Sequence, residues 1–217
     1  MRALILLLAA FASNAFAAGQ AGEVLSASVR AVLQQSVSDM SSPHMVFGTE
    51  EEGLAWLDEM SRRLEKRMPD SASRIDFLKT VQYEASRAGL DPQLVLALIQ
   101  VESNFNKYAV SSVGARGYMQ VMPFWVSEIG TRDQDLFQLR TNLRYGCTIL
   151  RYYLDVERGD LFRALGRYNG SLGQPDYPQK VASAWRGPWA YRQHFAQALR
   201  TSPLAYRRQF SHAQDLA

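Results

Sequence analysis

One carboxylate in this chain sits where acid chemistry is to be expected. The run Gln93-Leu94-Val95-Leu96-Ala97-Leu98-Ile99-Gln100-Val101 is apolar on nearly every side and leads straight into Glu102-Ser103. A helix of that composition belongs in a core. A carboxyl at its end is therefore partly stripped of water, which penalises the ionised form. The negative end of the helix dipole acts in the same direction. Both effects hold a proton on Glu102 near neutral pH, which is what a general acid for glycoside cleavage requires. A glutamate that merely marks the solvated end of a core helix satisfies the same pattern, so the surrounding elements have to decide.

Those elements read as helices. Asp91-Pro92 is a start signal for the Glu102 helix, a capping carboxylate followed by proline at the first helical position. Upstream, Leu54, Leu57, Met60, Leu64 and Met68 recur at three and four until Pro69-Asp70 stops them. Ser73 is the expected cap of the next helix, whose face carries Ile75, Leu78, Val81 and Ala85, with Gly89 at its left-handed end. After Glu102 the small residues Ser111-Ser112-Val113-Gly114-Ala115-Arg116-Gly117 imply tight turns. Pro123 opens a short helix ending at Gly130, 141–158 is amphipathic, and Asp160 caps a helix reaching Tyr168. Residues 173–178 read as loop and 181–200 as helix interrupted at Gly187-Pro188. The fold class is mainly α, with at most a very small β element.

The neighbours of Glu102 carry a family pattern. Glu102-Ser103-Asn104-Phe105-Asn106, the stretch from Ala109 to Gly117, and Met119-Gln120-Val121-Met122-Pro123 resemble the soluble (SLT) type of lytic transglycosylase. Those are bacterial enzymes of the lysozyme-like superfamily that cut peptidoglycan. Arg167-Tyr168-Asn169-Gly170, followed by Tyr177, Lys180 and Val181, resembles the second signature of that family. Two separated signatures in the right order are far more specific than either alone. The resemblance covers roughly 77–184 and implies a goose-type/SLT helical domain.

By that resemblance Glu102 is the single catalytic glutamate, acting first as acid and then as base. Ser111 falls on the serine held close to the carboxylate and the substrate's N-acetyl group. Gln120 and Met122 fall on groove-lining positions, and Tyr168 on the tyrosine that faces the glutamate. Read without the family, Ser111 is a loop serine, Met122 a core filler, Tyr168 a packed aromatic and Gln120 an amide satisfying backbone. The pattern departs from the family at Lys107, where a proline is frequent, and at Tyr118, where leucine is frequent. The implied reaction cleaves the β-1,4 bond between N-acetylmuramic acid and N-acetylglucosamine and closes a 1,6-anhydro ring, with no cofactor or metal. A goose-type muramidase and a non-catalytic peptidoglycan-binding protein of envelope assembly are the competing readings. Glu128, Asp133 and Asp135 are the other carboxylates near the motif, in a segment that reads as surface.

Composition sets the remaining bounds. Of 217 residues, 47% are hydrophobic and 21% charged, the range of a globular chain. The net charge of +3 comes from scattered arginines that form no basic run, which argues against a nucleic-acid partner. The three histidines are far apart and never at ligand spacing, and the lone Cys147 lies in an apolar stretch, so it reads as a core residue. Met1-Arg2, the apolar run from Ala3 to Ala12 and Ala15-Phe16-Ala17 read as a signal peptide over 1–17. The expected organisation is then a weakly structured arm over 18–50, the domain over 51–200 and a tail over 201–217. Export to the periplasm, glycan strands of peptidoglycan as the partner and no membrane span after signal removal are the corresponding expectations. The aromatic and arginine residues after Trp189 are explained equally by helix packing or by docking to a partner in an envelope machine.

Overall fold

The computed structural model describes residues 25–38, 45–131 and 133–191. The expected signal peptide, the 201–217 tail and the 192–200 part of the last helix lie outside the described residues. Eight α-helices are seen among the described residues: α1 (Ala27–Ser38), α2 (Glu50–Leu64), α3 (Ser71–Arg87), α4 (Pro92–Ser103), α5 (Phe124–Ile129), α6 (Leu139–Val156), α7 (Leu161–Asn169) and α8 (Asp176–Arg186). Their β content is two isolated bridges, Val110 to Arg116 and Arg116 to Val121. This matches the expected fold class.

α4 is the central element. Leu94, Val95, Leu96, Ala97, Leu98 and Ile99 are all buried, as a helix apolar all round must be. It begins where the sequence predicts, with Asp91 Oδ1 accepting from Gln93 N at 2.8 Å. The same carboxylate reaches across to α8, where its Oδ2 accepts from Trp185 Nε1 at 2.8 Å. α8 therefore runs antiparallel to α4, because its other end carries Tyr177 beside Glu102. α3 and α6 close the opposite side around Glu84, whose side chain is fully buried. Its Oε1 lies 2.8 Å from Arg144 Nη2 and its Oε2 3.2 Å from Arg87 Nε.

Four expectations are corrected. The cap of α3 is Asp70, whose Oδ2 accepts from Ser73 N at 2.8 Å; Ser73 is the receiving residue one turn in. Leu54 is 55% exposed, because the buried face of α2 runs through Gly53, Trp56, Leu57, Met60 and Leu64 and leaves Leu54 beside it. α8 starts at Asp176 inside the expected loop; Pro178 is tolerated in the first turn, where its missing N–H has no helical partner to lose. The 18–50 arm, expected to be poorly packed with some helix near 24–37, carries that helix as α1 and packs it on the core. Leu33 and Val37, one turn apart, are buried, and Arg30 Nη2 pairs with Glu128 Oε2 at 3.0 Å. Cys147 is buried as expected, and burial raises its thiol pKa well above the usual value.

Candidate active site

Glu102 is delivered by the last turn of α4, and the two residues after Ser103 fix its direction. Asn104 and Phe105 both take left-handed backbone, with φ of 47° and 66°. Two consecutive non-glycine residues in that region cost about 1–3 kcal/mol each and persist only where the surroundings hold them. Here they are held. Asn104 N donates to Gln100 O at 3.1 Å and Asn104 Oδ1 accepts from Arg67 Nε at 2.9 Å. The Phe105 ring is buried between Phe77 and Trp189, with centroid distances of 5.9 and 5.4 Å. Ser103 Oγ adds a bond to Tyr118 O at 2.7 Å, tying the helix end to the next loop. The chain thus turns sharply away and leaves Glu102 facing a cleft of about 940 Å³.

One wall of the cleft is the loop joined by the two bridges. Its turn depends on Asn142, a fully buried residue of α6 that the sequence did not single out. Asn142 Oδ1 accepts from Met119 N, and Nδ2 donates to Arg116 O and Leu136 O, all at 2.8 Å. Close approach is built in as well: a Cβ on Gly146 would stand 2.3 Å from Met119 Sδ, and one on Gly117, at φ +74°, 2.4 Å from Asn142 Nδ2. The opposite wall is the end of α7, the loop after it and the start of α8, including Asn169, Ser171 and Lys180.

Ser111, Gln120, Met122 and Tyr168 all line this cleft together with Glu102. Their polar groups are largely occupied by the protein. Ser111 Oγ accepts from Ala115 N at 3.0 Å, and Gln120 Nε2 donates to Ala109 O and Gly117 O at 3.1 and 3.0 Å. Gln120 also holds a left-handed backbone, φ 49°, so it shapes the turn as much as the cleft surface. Met122 is half-buried against the core. The buried Tyr168 hydroxyl donates to Met119 O at 2.7 Å and so braces the loop from across the cleft. The hydroxyl that donates to Glu102 Oε1 belongs instead to Tyr177. The available signal for Tyr177 was its place in the second signature, seven residues beyond Gly170. Residue type and spacing alone do not distinguish it from a packed aromatic.

The electrostatics are set by burial. Desolvation raises the Glu102 pKa to about 7, opposed in part by the Tyr177 hydrogen bond, which favours the carboxylate. Burial and the nearby Glu102 also push the hydroxyls of Tyr168 and Tyr177 well above the usual tyrosine pKa, so both remain donors. Of the other carboxylates considered from sequence, Glu128 is engaged by Arg30, and Asp133 and Asp135 are outside the cleft lining. Asp176, exposed at the start of α8, is a further carboxylate on the cleft. A carboxyl poised between its two protonation states at neutral pH, on one wall of a long open cleft, suits proton donation followed by proton removal.

Comparison with known proteins agrees with this geometry. The model of the transglycosylase SLT domain matches residues 79–184. A protein named transglycosylase from Enterobacteria phage PRD1 is 32% identical over 109 residues, which is 50% of this chain and 40% of that one. The membrane-bound lytic murein transglycosylase C of Mannheimia succiniciproducens is 39% identical over 64 residues, 30% of this chain and 16% of its own. The membrane-bound lytic murein transglycosylase F of Desulfosudis oleivorans is 30% identical over 110 residues, 49% of this chain and 24% of its own. The chain thus spans less than half the length of each of these relatives. The matched segment runs from the middle of α3 almost to the end of α8 and holds Glu102, Tyr168 and Tyr177. Over residues 79–184, then, this chain carries a transglycosylase SLT domain of the lysozyme-like family.

Proposed function

We propose that the chain is an exported, periplasmic lytic transglycosylase that cleaves peptidoglycan between N-acetylmuramic acid and N-acetylglucosamine. The observation that carries the reading is Glu102 itself: a desolvated carboxyl with a pKa of about 7, held by Tyr177 in an open cleft. Protonated Glu102 gives its proton to the glycosidic oxygen as the bond from that oxygen to the muramic C1 breaks. The carbonyl oxygen of the substrate's own N-acetyl group takes up the positive charge at C1. Ionised Glu102 then accepts the C6 hydroxyl proton while O6 bonds to C1, which restores the acid and consumes no water. A pKa near neutrality serves both halves, since neither protonation state is costly to reach.

The sugar-facing contacts are drawn from the residues lining the cleft. Ser111 stands on the bridged loop together with Gln120 and Met122, and the α7–α8 wall faces them. Asp176 favours a second reading. It supplies another carboxylate on the same cleft, and a glycosidase that activates water uses two. The experiment is mass spectrometry of the fragments released from purified peptidoglycan by the chain, by Glu102→Gln and by Asp176→Asn. The expected result is 1,6-anhydro ends, lost with Glu102→Gln and retained with Asp176→Asn. Reducing ends that depend on Asp176 would establish the hydrolase instead.

A further inference from the structure

The loop that forms one wall of the cleft has an outer side with chemistry of its own. Tyr108 is 67% exposed and Val110, two residues on, 60% exposed. The Tyr108 ring meets that of Phe137 at a centroid distance of 5.9 Å. Each ring carries a cation: Lys107 Nζ lies 5.3 Å from the Tyr108 centroid, and the Arg116 guanidinium carbon 5.9 Å from that of Phe137. The patch is anchored. Tyr108 N donates to Asn106 Oδ1 at 3.0 Å, and Phe137 N to Asp135 Oδ1 at 2.9 Å. Arg116 is fixed through its backbone, exchanging bonds with Val121 N and O at 3.0 and 2.9 Å. Lys107 is also one of the two positions at which the chain departs from its family's pattern, and the chemistry of Glu102 makes no use of it.

The arrangement is continuous with the cleft. Val110 and Arg116 bridge to one another, and Ser111, Ser112, Val113 and Ala115 between them line the cleft. A polymer leaving the cleft over this loop meets the two rings next. Pyranose rings present flat C–H faces that stack on aromatic rings, and the carboxylates that peptidoglycan carries on its lactyl groups and peptide stems suit Lys107 and Arg116. We infer that Tyr108, Phe137, Lys107 and Arg116 form a second glycan-binding site, outside the catalytic cleft, which holds a distal stretch of the same anionic strand. The inference rests on the proposed function for its choice of ligand. It adds that affinity for polymeric substrate exceeds affinity for short fragments.

The test compares Lys107→Glu/Tyr108→Ser with the parent chain. Binding to insoluble peptidoglycan sacculi is measured by sedimentation in a Glu102→Gln background, so that nothing is digested. Turnover of a soluble tetrasaccharide, too short to reach the rings, is measured with Glu102 intact. The expected result is about a tenfold loss of sacculus binding, the scale of losing one stacked ring, with tetrasaccharide turnover within about twofold. The loss should shrink in high salt, where the cations contribute less. Unchanged sacculus binding overturns the site. An equal fall in binding and in fragment turnover also overturns it, because the loop then acts only by shaping the cleft. Failure of the parent chain to cut any glycan would remove the proposed activity, while the sedimentation result would still decide the site.

Discussion

Under the proposed activity, two opposing effects at Glu102 set the working pH. Burial raises the pKa and the Tyr177 hydroxyl lowers it, leaving a value of about 7. The first proton transfer needs the protonated form, so kcat/KM should fall as pH rises through about 7. Tyr177→Phe removes the group that favours the carboxylate, so the Glu102 pKa rises and the alkaline limb moves to higher pH. At the same time kcat drops about tenfold, the worth of one hydrogen bond to a charged group. A pH–rate profile with the limb unmoved would show that Tyr177 does not sense the ionisation of Glu102. Tyr168→Phe frees Met119 O instead and leaves the limb in place. The two tyrosines thus have separable duties, which their sequence positions do not reveal. Glu102 was legible because its cause is local: an apolar run ends in an acid. Tyr177 lies 75 residues away, and only the docking of α8 on α4 brings it there.

Among the elements, legibility divided in the same way. Caps and breakers act within a few residues, so Asp91, Asp160 and Gly130 mark the helix ends they were expected to mark. Pro178 misled, because a proline in a first turn and a proline in a loop look alike in sequence. The face of α2 was misread at Leu54 because the buried stripe enters through Gly53, which has no side chain for the periodicity to count. The least legible part was the support of the cleft loop. Asn142 has no distinguishing neighbours in sequence, yet its one amide serves an N–H of Met119 and the carbonyls of Arg116 and Leu136. Asn142→Ala leaves Met119 N and Leu136 O short of a partner, while Arg116 O keeps its bond from Val121 N. At about 1–3 kcal/mol each, the loss should reach at least about 2 kcal/mol, read as a lowered urea midpoint. Activity should decline further than stability explains, because Gln120 and Met122 lose their anchor. A loss below about 1 kcal/mol would mean that water replaces the amide, which nothing else in that turn requires.

For the molecule as a whole, the Glu102 cleft and the ion cluster around Glu84 are separate among the described residues. Glu84 sits fully buried between α3 and α6, beside Arg87 at 3.2 Å, Arg144 at 2.8 Å and Arg140 at 3.6 Å. Glu84→Gln removes the anion from under those guanidiniums. The expected destabilisation is about 3–5 kcal/mol, since a buried charge left without its partner is expensive, and chemical denaturation measures it. The pH limb of catalysis should not move, because Glu84 contributes nothing to the pKa of Glu102. The antiparallel pairing of α4 with α8 has a consequence in time. Glu102 waits for Tyr177, Asp91 for Trp185 and Gln100 for Trp189, contacts spanning 75, 94 and 89 residues. During synthesis the acid emerges from the ribosome well before the helix that completes its surroundings. A nascent chain that has not yet reached Tyr177 carries the carboxyl but neither the hydroxyl that aims it nor the indoles that clamp its helix. Under the proposed activity, the capacity to cut is therefore acquired late as this polypeptide is made.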